Sequence, residues 1–265
     1  MIRREMNDEA GSPTWLLISQ VDHAKLAADL AHAWHVPLVD EPDAQRQLLA
    51  TIEHHDDGWR EWETSLKVDA VSGRPLQFTE MPLADSLEIW QRSIDECREF
   101  GELAGWLVAG HFEALLRHSN AWQKTTHPAS AAAQAFLARN DAARQEWMSS
   151  WNAHQLGPSS LPDRALKWLQ FFDYFSLWLC CAERQGTDRL AGVDREQVVF
   201  QAAGVDIALL DWPFQGDSLC LTVAGREVTR QAYTDESLQA AYEKGPQHTL
   251  HWKLQPVSDP NRGGN

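Results

Sequence analysis

Across residues 15–183 the apolar positions recur every three or four residues, the spacing that lays a single stripe along an α-helix. Breaks fall at residues 36–43, 68–82, 120–128 and 156–163. They carry the expected punctuation: Pro37 and Pro42, Gly73 and Pro75, Pro128, then Gly157, Pro158 and Pro162. The pattern predicts about six helices, with Asp43, Ser130 and Asp163 as start signals. Beyond Gly192 the period shortens to β-like runs at 197–201, 205–210, 218–224 and 249–254. One further helix is expected at Asp235–Lys244, capped by Thr234 or Asp235 and ended by Gly245 and Pro246. The expected fold is therefore mainly α, with a helical domain over residues 1–191 and a small C-terminal β-rich (α+β) unit over residues 192–265 packed on it.

Composition narrows the function classes. The 265 residues, 43% hydrophobic and 23% charged, have the balance of an ordinary globular protein. Lys and Arg total 23 against 38 Asp and Glu, a net charge of −15, which opposes broad contact with nucleic acid or an anionic membrane and leaves a small molecule as the expected partner. Cys97, Cys180, Cys181 and Cys220 fall in no Cys-x-x-Cys spacing and read as reduced thiols of a cytoplasmic protein. Neither a signal-peptide pattern nor an apolar run of about 18 residues is present. Oligomeric state is left open by the sequence.

The chemistry lies where polar residues interrupt the apolar stripes. The first helix runs Leu16, Ser19, His23, Leu26, Leu30, Trp34, so His23 points inward. On the second, Leu48, Ile52, His55 and Trp59 share a face, with Leu49 and Asp56 beside it, which puts an adjacent His-Asp pair at the inner side of the helix end. Another carries Leu103, Leu107, His111, Ala114 and His118, with Gly110 leaving room for close approach of another group. The last places Asp173 among Leu169, Phe172, Ser176 and Cys180. A buried carboxylate is costly unless paired or metal-bound. Four helices each turning a His or Asp inward supply a donor set suited to a first-row transition metal. Gln20, Asp22, His54 and Asp57 are candidate supporting groups, and Arg60, Arg92 and Lys67 are the cations nearest in sequence that could receive an anion.

The order His23, His55-Asp56, His111, Asp173 resembles the HD-domain superfamily of helical metalloenzymes, whose motif is H, then HD, then a distant D. The string 55–59, His-Asp-Asp-Gly-Trp, is similar to its H-D-x-G variant, with Trp59 where related enzymes have Lys or His. The whole chain resembles an uncharacterised bacterial family with Q-x-D-H-x-x-L, H-D-x-G-W and G-H signatures, matched at residues 20–26, 55–59 and 110–111. The resemblance implies an HD-like helical bundle holding one or two divalent transition metal ions, iron or manganese foremost, on His23, His55, Asp56, His111 and Asp173. His111 is either a further ligand or the group facing substrate, the second middle histidine of two-metal members would be His118, His127, His154 or none, and Asp57 is a candidate proton acceptor.

The expected function is metal-dependent hydrolysis of a small phosphorylated or ester substrate. One alternative is an HD-type di-iron oxygenase acting on a small organic substrate. The other is a non-catalytic, metal-stabilised scaffold binding a protein partner, for which residues 211–214, Asp-Trp-Pro-Phe, are either an exposed anchor or a staple between tail and helices.

Overall fold

Residues 15–18, which open the first apolar stripe, are not helical. The computed structural model describes residues 1–118, 128–154, 160–194 and 197–257, and there the chain begins with a hairpin of β1 (Ile2–Asn7) and β2 (Pro13–Ile18), antiparallel with Ile2 opposite Ile18. Both faces of β2 are covered. Leu16 and Ile18 enter the principal core, whereas Trp15 and Leu17 enter a smaller one with Val228, Tyr233 and Leu238. A strand buried on both sides needs no alternation, so its sequence is a continuous apolar run that periodicity cannot tell from a helix.

Ser19 then caps α1 (Gln20–His32), its hydroxyl accepting from the Asp22 backbone N–H. Next come α2 (Pro42–His54), α3 (Trp59–Trp62), α4 (Leu83–Arg98), α5 (Glu102–His118), α6 (Pro128–His154) and α7 (Leu161–Cys181). Glu41, not Asp43, caps α2, accepting from the N–H groups of Asp43 and Ala44. Ser130 lies inside α6, and Asp163 sits in the first turn of α7 after Ser160.

The remainder is β3 (Gln185–Ala191), β4 (Gln197–Ala203), β5 (Asp206–Leu209), β6 (Leu219–Thr229), α8 (Asp235–Lys244) and β7 (Gln247–Pro256). Thr234 caps α8 by accepting from the Ser237 N–H, and Gly245 ends it. All seven strands form one sheet in the order β1-β2-β6-β7-β5-β4-β3, antiparallel except for the parallel pair β5 and β7. This overturns the expectation of a mainly α, HD-like helical bundle with a small C-terminal β-rich unit. The sheet is a major layer, and it draws strands from both ends of the sequence. The hairpin that joins it escapes a periodicity reading because β2 is doubly buried and β1 is rich in charge.

The buried charge of β1 has a definite place. Arg4 donates from Nη1 to the carbonyls of Leu179 (2.8 Å) and Cys180 (3.2 Å), which the C-terminal turn of α7 leaves without helical partners. Farther along, Phe175 and Trp178 of α7 pack on Phe200 of β4, with ring centroids 4.8 and 5.0 Å apart. Residues 211–214 meet the end of α1: the His35 N–H donates to the Pro213 carbonyl and Phe214 packs on Trp34 at 5.3 Å. Among the described residues, no helix is long and apolar enough to cross a membrane.

Candidate metal centre

The His55-Asp56 pair sits at the helix end, where its spacing places it. α2 stops at His54, His55 is its C-terminal cap residue, and residues 56–58 turn into α3. Gly58 is required by space: a Cβ there would lie 2.2 Å from the Ile89 carbonyl oxygen and 2.7 Å from the Ser93 nitrogen of α4. The Gly58 N–H donates to Ser93 Oγ at 3.0 Å, which fixes the turn against α4. Trp59 therefore opens α3, buried, with its ring edge against Trp62 at 5.6 Å.

Four elements bring five predicted groups together. Asp173 Oδ1 of α7 lies 3.3 Å from His23 Nε2 of α1 and 3.3 Å from His55 Nε2, while its Oδ2 faces His111 Nε2 of α5 at 3.6 Å. Asp56 Oδ2 is 3.2 Å from His23 Nε2 and 3.7 Å from His55 Nε2. All five residues are buried, with Asp173 keeping 8% of its surface exposed. The three imidazoles meet edge to face, with centroids 5.5 Å (His23 to His55) and 5.6 Å (His55 to His111) apart.

The other ring nitrogens orient two of these histidines. His23 Nδ1 is 2.7 Å from Ser176 Oγ, which itself donates to the Asp173 carbonyl at 2.9 Å, so Nδ1 carries the proton. His55 Nδ1 donates to the Ile52 carbonyl at 2.9 Å. Both therefore turn Nε2 toward the carboxylates. His111 differs, because its buried Nδ1 has no partner.

Charge follows from burial and proximity. Burial works against an imidazolium at His55, yet the Asp56 and Asp173 carboxylates outweigh it and raise the group to about 9. Burial opposes ionisation of Asp56 and Asp173 in the same way, and the facing histidines nonetheless hold both below the usual carboxylate range. At His111 burial wins over Asp173 and lowers the pKa, leaving a neutral ring.

The donors fit a transition metal. One ligand atom each from His23, His55 and Asp173 lies within 4.8 Å of the others. Donors about 2.1 Å from a tetrahedral ion stand about 3.4 Å apart, close to the 3.3 Å from each of these imidazole nitrogens to Asp173 Oδ1. Oxygen partners on the outer ring nitrogens are the usual support of metal-bound imidazole. Ser176, read from sequence only as a stripe position, is the supporting residue that reading missed. Its hydroxyl within an otherwise apolar helix was the available signal.

The other predicted residues lie elsewhere. Asp57 is beside the centre, with Oδ1 accepting from Arg60 (2.6 Å) and Oδ2 paired with His54 Nδ1 (2.8 Å). Asp22 serves Ser19 and Lys25. Lys67 pairs with Asp235, and Arg92 with Glu61 and Glu88. His118 is exposed, its Nδ1 donating to the Ala114 carbonyl. His127 and the side chain of His154 fall outside the described residues. Gln20 is buried with an unpartnered Oε1. The space left by Gly110 is taken by Arg144, which pairs with buried Glu113 at 2.8 Å and lies 4.1 Å over the Trp106 ring.

Fold and site together define an α+β protein with three histidines and two aspartates gathered in its interior. The chain belongs to the family described as "Protein of unknown function (DUF3891)", whose model matches residues 1–230, a span that includes all five groups. No curated protein and no solved structure matches it.

Proposed function

We propose that the protein is a metal-dependent hydrolase acting on a small phosphorylated or ester substrate. The observation that carries this reading is the convergence of His23 and His55, each with Nε2 turned inward, on the paired carboxylates of Asp56 and Asp173. These four residues would hold a divalent ion, iron or manganese foremost. When bound, that ion supplies Lewis acidity, making a water nucleophilic near neutral pH and polarising a phosphoryl or ester oxygen.

The chain's own groups handle the proton. His111 is neutral and turns Nε2 toward the same carboxylate at 3.6 Å, so that nitrogen is the one placed to accept a proton from a group held at the centre. Asp57, the acceptor expected from sequence, already commits both carboxylate oxygens to Arg60 and His54. Its role here is to hold the turn that presents His55 and Asp56.

The split carboxylate of Asp173 favours a second reading. One of its oxygens faces His23 and His55 and the other faces His111, so Asp173 would be available to two ions, with His111 as a further ligand. With His111 as a ligand, two irons would make the centre an oxygenase for a small organic substrate. Protein purified without chelator and analysed for metal, then assayed with p-nitrophenyl phosphate and p-nitrophenyl acetate, separates the cases. Hydrolysis that needs the metal and disappears in Asp173→Ala supports the first reading. Two irons per chain with dioxygen consumption supports the second, and protein that binds no manganese, iron, cobalt or zinc overturns both.

A further inference from the structure

The face of the sheet that carries Leu16 turns polar toward the β1–β2 turn. Thr14 of β2 stands opposite Met6 of β1 and Thr229 of β6, and Leu16 stands opposite Glu227, so Thr14, Thr229 and Glu227 share the face that Leu16 presents to the principal core. Asp8 extends β1 by one more pair, its N–H donating to the Ser12 carbonyl at 2.9 Å. Asp8 and Glu227 are therefore both diagonal neighbours of Thr14, on opposite sides of it and each about 7–8 Å away. Together with Glu9 and residues 246–248 they line a cavity of about 710 Å³. We propose that this cavity binds a linear aliphatic polyamine, laid along the line from Asp8 past Thr14 to Glu227.

Three carboxylates, Asp8, Glu9 and Glu227, line the cavity, and among the described residues no Lys or Arg does. The side chains of Glu9 and Glu227 make no hydrogen bond or ion pair among the described residues. Asp8 commits only Oδ1, which accepts from the N–H groups of Ala10 (2.9 Å) and Ser12 (2.7 Å). The nearby cations are engaged elsewhere: Arg4 with the end of α7, Arg226 with the Gly245 carbonyl and Arg230 with Glu5. Between the carboxylates, Thr14 is 5% exposed and its Oγ1 is buried without a partner, a costly state for a hydroxyl that an ammonium N–H relieves. Spacing selects the ligand class. Among the described residues only His23, His55 and Asp173 bring three such donors within 4.8 Å of one another, so the carboxylates here are too dispersed to cage one metal ion. Charges spread over two diagonal steps instead suit several ammonium groups on one chain, and the volume is that of a small-molecule site.

Calorimetric titration of the full chain at low ionic strength with spermidine, propylamine and magnesium chloride tests the proposal. One equivalent of spermidine should bind at least about tenfold more tightly than propylamine, and magnesium at equal concentration should not displace it. Asp8→Asn, which keeps an oxygen for the turn, and Glu227→Gln should each weaken spermidine binding about tenfold or more. Glu146→Gln, an equal loss of charge at an exposed position of α6, should leave it unchanged. Thr14→Val should weaken it about threefold or more with Tm unchanged or higher, because the hydroxyl has no partner to lose. Absence of saturable spermidine binding overturns the proposal. So does affinity that survives Asp8→Asn, Glu227→Gln or Thr14→Val, displacement by equal magnesium, or an equal loss in Glu146→Gln, which would mark attraction to net charge alone.

Discussion

His23 and Ser176 are joined across the interior by a 2.7 Å hydrogen bond from Nδ1 to Oγ. Because Ser176 spends its own proton on the Asp173 carbonyl, one hydroxyl sets the tautomer of His23 and ties it to the helix turn that carries Asp173. Ser176→Ala should fold and still bind metal, with affinity lower by about 10–100-fold, the usual effect of losing such a support. Competition against a chelator of known affinity measures this, and an unchanged constant would remove Ser176 from the site.

Asp56 and Asp173 face the same two imidazoles, and Asp57 faces neither. Asp56→Ala and Asp173→Ala are expected to contain no metal by elemental analysis, whereas Asp57→Ala retains it with at most reduced turnover. Stripping metal from the unaltered protein should lower its Tm, since an ion bound only to the folded chain at about 100 times its Kd contributes about 2.7 kcal/mol. Full occupancy in Asp173→Ala would disprove the proposed ligand set.

Metal-free protein should depend on pH in two opposite ways. His55 is raised to about 9, so its contribution to stability is complete below the ordinary histidine value and is lost as pH rises through about 9. Asp56 and Asp173 are depressed, so theirs is present above the ordinary carboxylate value and is lost on acidification. Metal must displace the His55 proton, so its affinity should rise by up to about tenfold per pH unit until pH reaches about 9. Titration calorimetry in buffers of differing ionisation enthalpy counts that proton, and none released at pH 7 would contradict the charge state described for His55.

Gly58→Ala places a methyl against the Ile89 carbonyl and the Ser93 nitrogen of α4. Overpacking of this kind costs about 1–3 kcal/mol, and here it also moves the turn bearing His55 and Asp56. A lower Tm together with weaker metal binding is expected. A variant less stable but with wild-type metal affinity would show that the turn and the ligands are mechanically independent.

Truncation after Gly192 removes β4 to β7, leaving β2 without β6 and the rings of Phe175 and Trp178 without Phe200. Insoluble product is expected. A soluble, metal-loaded remnant would instead mean that the removed strands serve a partner.

The five interior His and Asp residues were legible because each breaks an apolar stripe of helical period, an anomaly visible without coordinates. The pair's place at a helix end was legible as well, but not the residue at which the helix stops, since periodicity runs smoothly from Ile52 to Trp59 although α2 stops at His54. The clearance at Gly58 comes from α4, which no local pattern around residue 58 reveals. β3 was missed for the opposite reason to β2: it is a largely exposed edge strand, Gln-Gly-Thr-Asp-Arg-Leu-Ala, with only Leu190 buried. Arg4 shows that a charged strand can be interior when its guanidinium meets the open carbonyls of a helix end.

β7 lies inside the sheet, between β6 and β5, although it is the last of the described strands along the chain. A ribosome must therefore translate beyond residue 256 before the two halves of the sheet can be joined. The helices bearing the histidines and aspartates emerge well before that, with the apolar faces of β2 and α7 still uncovered. The rings of Phe175 and Trp178 on α7 and the edge of β2 that pairs with β6 are thus completed only by chain made after the site's own helices.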